Sequence, residues 1–392
     1  APYQLLRPGG RVMLSGGDCP RTRRARRMAN SRGGVRCGRD WFASLHWTVE
    51  HVVVGTLASR IAGHHGLEAG RGNTGVMIDA RFPLAQLPTP LDFADRLTKA
   101  WGGPQIYIKR DDLTGFGLSG NKVRKLEYHV AAAKAAGATT LVTCGAVQSN
   151  HCRATAIVAA RIGMKCLLLL RSSDGQAPKQ VEGNHLLQRL AGAQVRFMTP
   201  REWHDRHALM EAAASELAAA GELAWVMPAG ASDRLGVAAF DNALVELSQQ
   251  IDGPATIWHA SSSAGTTAGL ALGVARNGLD MRVVGSSVGE STAELSEAVH
   301  ALLVEADAAD APFEVIDDYV GLGYGKTTDE ELQVQMEATR LTGLIWDPTY
   351  TGKALFGLKQ EIERGRFEPL DQVVFWHTGG GFAVFAHSFP LD

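Results

Sequence analysis

No stretch of this 392-residue chain is apolar for long enough to cross a bilayer, which takes about 20 consecutive apolar residues in a helix. Cysteine is scarce. The five present (Cys19, Cys37, Cys144, Cys152 and Cys166) are odd in number and form no CxxC pair, which argues against a disulfide framework and against structural zinc. Lysine is missing altogether from residues 1–76, which carry twelve Arg and only four acids, Asp18, Asp40, Glu50 and Glu68. That segment has a net charge of +8, so the remainder carries -10 within a total of -2. What is present is 45% apolar residues and 44 Gly, a composition that excludes disordered, collagen-like and coiled-coil classes and predicts two or three globular units. The body reads as a reduced, cytoplasmic, mildly acidic protein, with no reason to expect nucleic acid or membrane as a partner.

Residues 1–76 read as an Arg-rich N-terminal extension that is not part of the fold. An organelle transit peptide and a nucleic-acid-binding arm are the alternatives that an Arg-rich, acid-poor segment allows. The lack of Lys favours the extension, because an arm that neutralises phosphates would mix both cations. Met77, directly before IDARFPLAQLPTPL, is the expected native start.

From residue 105 short apolar runs alternate with amphipathic stretches, the pattern of an α/β protein with mostly parallel strands. The runs predict strands at 105–109, 139–145, 165–171, 194–198, 224–228, 255–260, 281–288 and 372–377. Helical spacing predicts helices over 123–136 and 152–162, and Gly137, Gly163 and Gly278 mark helix ends where a left-handed residue is expected. No repeat or linker divides the body, so two domains would have to be interwoven.

Five segments carry candidate chemistry. TGFGLSGNKVRKLE (114–127) is a glycine-rich loop that delivers Lys122 to a helix start, where the helix dipole favours the neutral amine that Schiff-base chemistry requires. It is not a P-loop, because GxxxxGK[ST] would need Lys at 121. A solvated surface Lys is the plain alternative. TCGAVQSNHCRATA (143–156) places Gln148, Ser149, Asn150 and His151 between a strand end and a helix start, where free N–H groups accept a carboxylate, although Ser149 or Asn150 could equally be a helix cap. Cys144, His151 and Cys152 lack a fourth ligand at a sensible spacing, so no metal is expected. IWHASSSAGTTAGLALG (257–273) offers Ser262, Ser263, Ala264, Gly265 and Thr266 as an anion cradle at a helix N-terminus suited to a phosphate monoester. GLIWDPTYTGKALFGL (343–358) presents Tyr350 and Thr351, and FWHTGG (375–380) presents His377 and Thr378. Tyr324 lies in the Gly-rich run VGLGYGKTT (320–328).

Taken in order, IKRDDLTGFGLSGNKVRKLEY, GAVQSNHCRATA, SSAGTTAGL, GLGYG, DPTYTGKA and HTGG resemble the family of 1-aminocyclopropane-1-carboxylate deaminase and D-cysteine desulfhydrase, which are pyridoxal-phosphate enzymes of the tryptophan-synthase-β-like fold. The resemblance covers residues 77–392. It implies an α/β, fold-type II architecture of two open, twisted, mostly parallel sheets flanked by helices. A large cofactor domain would comprise 77–125 and 241–392, with a small domain, 126–240, inserted into it, in a homodimer. Pyridoxal 5'-phosphate is the implied cofactor. Lys122 matches the lysine that binds it covalently, and Lys125 one that reaches its phosphate. Asn150 matches the partner of its phenolic oxygen, and Ser262, Ser263, Ala264, Gly265 and Thr266 match its phosphate loop. Thr351 matches the neighbour of the pyridine nitrogen. Gln148, Ser149 and Asn150 border the substrate carboxylate, and Tyr324 and Tyr350 face the substrate; Lys122, Ser149, Tyr324 and Tyr350 are the implied catalytic set. The cyclopropane-opening deaminases resemble one another in having Glu where this chain has Thr351. A hydroxyl keeps the pyridine a weaker electron sink, which leans toward β-elimination from a D-amino acid, most simply D-cysteine to pyruvate, hydrogen sulfide and ammonia. The cyclopropane deaminase and an L-cysteate sulfo-lyase are the alternatives within the family, and a non-catalytic pyridoxal-phosphate-binding protein is the alternative outside catalysis.

Overall fold

The computed structural model describes residues 80–391, so the reading of 1–76 as an extension lies outside the described residues. Among these, ten strands form two sheets. The four-stranded sheet comprises β3 (Thr140–Ala146), β4 (Lys165–Arg171), β5 (Gln194–Met198) and β6 (Ala224–Val226) in the order β5-β4-β3-β6. All its pairings are parallel. The six-stranded sheet comprises β1 (Leu91–Phe93), β2 (Gln105–Lys109), β7 (Ala255–Ser261), β8 (Met281–Ser287), β9 (Glu314–Ile316) and β10 (Gln372–Trp376) in the order β1-β2-β10-β7-β8-β9. Only its edge strand β1 runs antiparallel.

Helices flank both sheets, as the alternating pattern requires: α1 (Asp95–Trp101), α2 (Lys122–Ala135), α3 (Asn150–Ile162), α4 (Gly183–Leu190), α5 (Arg206–Ala219), α6 (Arg234–Ser248), α7 (Gly265–Asn277), α8 (Thr292–Glu305), α9 (Asp329–Thr342) and α10 (Thr351–Glu363). The predicted strands at 105–109, 165–171 and 194–198 match β2, β4 and β5 residue for residue. The strand predicted over 224–228 stops at Val226, because Pro228 lacks the N–H a ladder needs and leads into a short turn. Strands β1 and β9, three residues each, were too short to leave a periodic signal. Gly137, Gly163 and Gly278 all adopt the left-handed conformation expected of helix ends.

Central strands are buried on both faces, which is why β3 and β4 read as continuous apolar runs. One core packs Ile106, Ile108, Trp258 and Phe375 under α10 and α9; another packs Leu141, Leu168 and Leu170 against Val123, Leu126 and Val158 of α2 and α3. Helices α6 and α7 approach closely at Gly269, where an added Cβ would stand 2.5 Å from the carbonyl of Val237. Gly269→Ala is therefore expected to lower the denaturant midpoint of unfolding by the equivalent of about 1–3 kcal/mol, the usual cost of overpacking a rigid contact. Among the described residues no helix is long and apolar enough to cross a membrane.

Candidate active site

The carboxyl ends of β3 and β7 and the loops that follow them face a cavity of about 290 Å³, the place where open parallel sheets bind ligands. Lys122 enters it from the first position of α2. Burial lowers its pKa from 10.5 to about 8, so a substantial share of the amine is neutral near physiological pH. The loop that carries it is fixed by backbone contacts. Gly120, at φ 111°, could not bear a Cβ, which would lie 2.9 Å from the Thr378 carbonyl, and the Asn121 N–H donates to that same oxygen. The fully buried Arg153 guanidinium donates to the carbonyls of Gly117 and Ser119 at 2.5 and 2.6 Å and to Asn184 Oδ1 at 3.1 Å.

Helix α3 starts at the cavity. Ser149 is its N-cap, with Oγ accepting from the Cys152 N–H at 3.2 Å, so the cap and the cavity wall are the same residue. Asn150 accepts from Asn184 Nδ2 at 2.8 Å through its Oδ1, and this orients its amide. His151 is bonded to the Thr143 hydroxyl through Nε2 at 2.9 Å, and its buried Nδ1 has no partner among the described residues. Burial, then the positive charge of Lys122, push the His151 pKa well down, leaving a neutral imidazole.

The third wall is the turn into α7. Ser262, Ser263, Ala264 and Thr266 line it, with Ala264 in the left-handed region at φ 63°. A Cβ at Gly265 would lie 2.7 Å from Ser232 Oγ and 2.8 Å from Lys125 Nζ, so any side chain there would push both groups out of place. Below the turn the fully buried Lys125 bonds only to neutral oxygens, those of Gly230 and Ser232, at 3.3 and 3.1 Å. Burial and the neighbouring Lys122 push its pKa well down, against the pull of Asp233. Backbone N–H groups at the start of a 13-residue helix, with the Lys125 amine beneath as a further donor, suit a dianionic phosphate.

Tyr324 and Tyr350 complete the lining, with their hydroxyls 2.5 Å apart. Burial raises both phenol pKa values, so both stay protonated. Of the residues predicted from sequence, Lys122, Ser149, Asn150, Ser262, Ser263, Ala264, Thr266, Tyr324 and Tyr350 share this one cavity. Four stand behind its surface. Gln148 binds the amino end of α4 through Glu182 and Asn184, Lys125 and Gly265 pack against Ser232, and the Thr351 hydroxyl donates to Asp347 Oδ1 at 2.8 Å in the first turn of α10.

A family model described as pyridoxal-phosphate dependent enzyme matches residues 83–379. The chain belongs to this family. A buried lysine amine facing a small-residue phosphate cradle is the donor set that a phosphate-bearing aldehyde requires. The enzyme is 39% identical over 320 residues to the D-cysteine desulfhydrase of Salmonella paratyphi A, covering 78% of this chain and 97% of that one. A crystal structure of an ACC deaminase homologue superposes with a TM-score of 0.72 at 32% identity, covering 78% of this chain and 94% of that one. A fungal L-serine ammonia-lyase from Rhizomucor miehei, at a TM-score of 0.56 and 16% identity over 76% of this chain and 94% of that one, shares the fold. Residues that the sequence did not single out also shape the cavity of this pyridoxal-phosphate dependent enzyme: Asn121, Arg171, Trp203, Gly230 and Glu290 line it, and Arg153 and Ser232 support it. Of these Asn121 and Arg153 lie inside segments the sequence had singled out, TGFGLSGNKVRKLE and TCGAVQSNHCRATA; the others sit on separate segments without a local signature.

Proposed function

We propose that this enzyme is a carbon–sulfur lyase that performs β-elimination on a D-amino acid, most simply D-cysteine, giving pyruvate, hydrogen sulfide and ammonia. The observation that carries the reading is the buried Lys122 amine sharing one cavity with the capped start of α3 and the hydrogen-bonded Tyr324–Tyr350 pair; the named D-cysteine desulfhydrases support the substrate. Lys122 and the turn Ser262–Thr266 would hold pyridoxal phosphate, with Asn150 bonded to its ring oxygen and Lys125 beneath its phosphate. When bound there, it supplies an electron sink conjugated to the substrate Cα.

The substrate carboxylate is received by the N–H groups at the start of α3 and by the Ser149 hydroxyl, whose hydrogen remains available because its oxygen is the cap acceptor. Lys122, released as a free amine when substrate is in place, takes the Cα proton; its lowered pKa matches that task. The Cβ–S bond breaks with its electron pair on sulfur, and the Tyr324–Tyr350 pair is placed to donate a proton to the departing thiolate, since burial has kept both phenols neutral. Water then converts the aminoacrylate to pyruvate and ammonium. Thr351, already bonded to Asp347, adds no carboxylate at the position where the cyclopropane-opening deaminases have Glu, which supports elimination over ring opening. The reading includes a homodimer acting in the cytoplasm; exposed Phe116 and Phe385, beside the edge-to-face pair of Phe116 with Phe382, support an apolar contact surface.

Pyruvate release is measured from D-cysteine, β-chloro-D-alanine, L-cysteate and 1-aminocyclopropane-1-carboxylate. D-Cysteine and β-chloro-D-alanine are expected to be turned over and the cyclopropane to be inert; turnover of the cyclopropane at a comparable rate would replace this reading with the deaminase.

A further inference from the structure

We infer that Lys353, which stands behind the cavity and not in its lining, positions the Tyr324–Tyr350 pair for proton delivery to the leaving group; this deepens the elimination reading above and rests on it. Tyr324 sits in the irregular segment 320–325, whose Gly321, Gly323 and Gly325 take positive φ values of 59°, 95° and 72°. Backbone of that kind is readily reshaped, because glycine has the most conformational freedom to lose on ordering. Tyr350 is fixed differently. As the N-cap of α10 it donates its backbone N–H to Oδ2 of the buried Asp347 at 2.8 Å. The two phenols therefore meet only if the glycine segment is held in place against the first turn of α10, and Lys353 of that turn makes the connection. Its Nζ donates to the Val320 carbonyl at 2.6 Å and pairs with Glu331 Oε1 at 3.4 Å. Val320 O also accepts from the Gly323 N–H at 3.1 Å, so the lysine holds the carbonyl on which the turn before Tyr324 closes.

Glu331 carries the tie into α9. Its Oε2 accepts from the N–H of Thr328, the N-cap of that helix, at 2.8 Å, and a Cβ on Gly321 would stand 2.7 Å from its Oε1. Lys353 and Glu331 are both buried. A buried ion pair adds little to stability over an apolar pair of the same volume, so what this one contributes is the register it sets between α9, α10 and the glycine segment. The chemistry that depends on that register is proton transfer. From D-cysteine the sulfur departs with the Cβ–S electron pair and takes the phenol proton, and the phenolate regains a proton from water. Chloride departs from β-chloro-D-alanine as an anion and takes none. A displaced tyrosine pair thus penalises the first substrate and spares the second, whereas loss of cofactor, of Cα proton removal or of folded protein penalises both alike.

The test uses the full-length holoenzyme and reads kcat/KM for pyruvate formation from D-cysteine divided by that from β-chloro-D-alanine. Tyr324→Phe, which removes one donor, sets the reference fall in that ratio. Lys353→Met keeps the stem and removes the amine. The double variant Lys353→Met with Glu331→Gln removes the ion pair as a whole, so no buried charge is left alone if the single variant folds poorly. Both are expected to lower the ratio by roughly tenfold, the scale of a displaced general acid, and Lys353→Met added to Tyr324→Phe is expected to lower it no further. Amide hydrogen exchange adds a readout without turnover: the segment 320–325 is expected to exchange faster in the double variant, with α7 unchanged. If Tyr324→Phe lowers the ratio and the double variant does not, Lys353 has no positioning role and the elimination reading stands. A fall that tracks urea stability across the variants, or that adds to the fall in Tyr324→Phe, assigns a structural role and likewise overturns the inference. If Tyr324→Phe leaves the ratio unchanged, proton donation by the pair fails and the inference with it, while pyruvate from D-cysteine still upholds elimination. If no substrate releases pyruvate, the elimination reading itself fails.

Discussion

Lys122→Ala is expected to lower pyruvate formation from D-cysteine by at least about 10³-fold, because in the proposed mechanism the amine that removes the Cα proton is also the group that anchors the cofactor. The same change should abolish the visible absorption of lysine-bound cofactor. Geometry isolates the effect from folding: Lys122 is the first residue of α2 and packs into the cavity, while the helix is held by Val123, Leu126 and Val130 in the core. Unchanged urea unfolding with lost absorption and lost turnover is the expected combination. Retained absorption would show that another lysine, of which Lys125 is the nearest in sequence, holds the cofactor.

The second large effect lies in a buried charge cluster behind the site. Lys109 Nζ donates to Glu246 Oε1 at 2.5 Å and to the Thr89 carbonyl at 2.7 Å. Arg124, two residues after Lys122 in α2, reaches both Asp111 and Glu246. Glu246→Gln leaves two buried cations sharing Asp111, and is expected to cost about 3 kcal/mol, at the lower end for breaking a buried ion pair. Burial alone would raise the Glu246 carboxyl, but the hydrogen bonds and charges of Arg124 and Lys109 hold it down to about 2, below its ordinary 4.5. A depressed folded-state value stabilises above the unfolded one, so this contribution is complete above pH 4.5 and is lost as the pH falls toward 2. The gap in urea midpoint between the two proteins should stay constant from pH 7 to about 6 and shrink to less than half by pH 3. A gap that persists at pH 3 would assign the loss to packing and not to charge.

How much of this was legible in the residues follows from how local each cause is. Lys165–Arg171 was visible because a parallel strand covered on both faces is apolar through its centre, and the edge strand Gln194–Met198 because its half-buried Val195 and Phe197 alternate with exposed Gln194 and Arg196. Strand β1 was not, since three residues carry no period and its partner, β2, supplies the reason it forms. Lys122, Ser149 and the turn Ser262–Thr266 were legible because each stands where a glycine-rich or polar turn opens a helix, a feature written in five to ten consecutive residues.

The sequence by itself determined the α/β alternation, the helix ends at Gly163 and Gly278, and the two turns proposed to hold a phosphate and an amine, because turn chemistry and hydrophobic period act between near neighbours. Only the tertiary structure decided that Arg171 lies over Trp203 and Tyr324, that Arg153 ties the lysine loop to Asn184, and that Lys109 meets Glu246 across 137 residues. It also drew Thr351 and Gln148 back from the cavity surface by giving their polar groups closer partners. The physical reason is common to all of these: a buried polar group takes whichever partner the packing of the two sheets brings within about 3 Å, and no short segment of chain specifies which one that is.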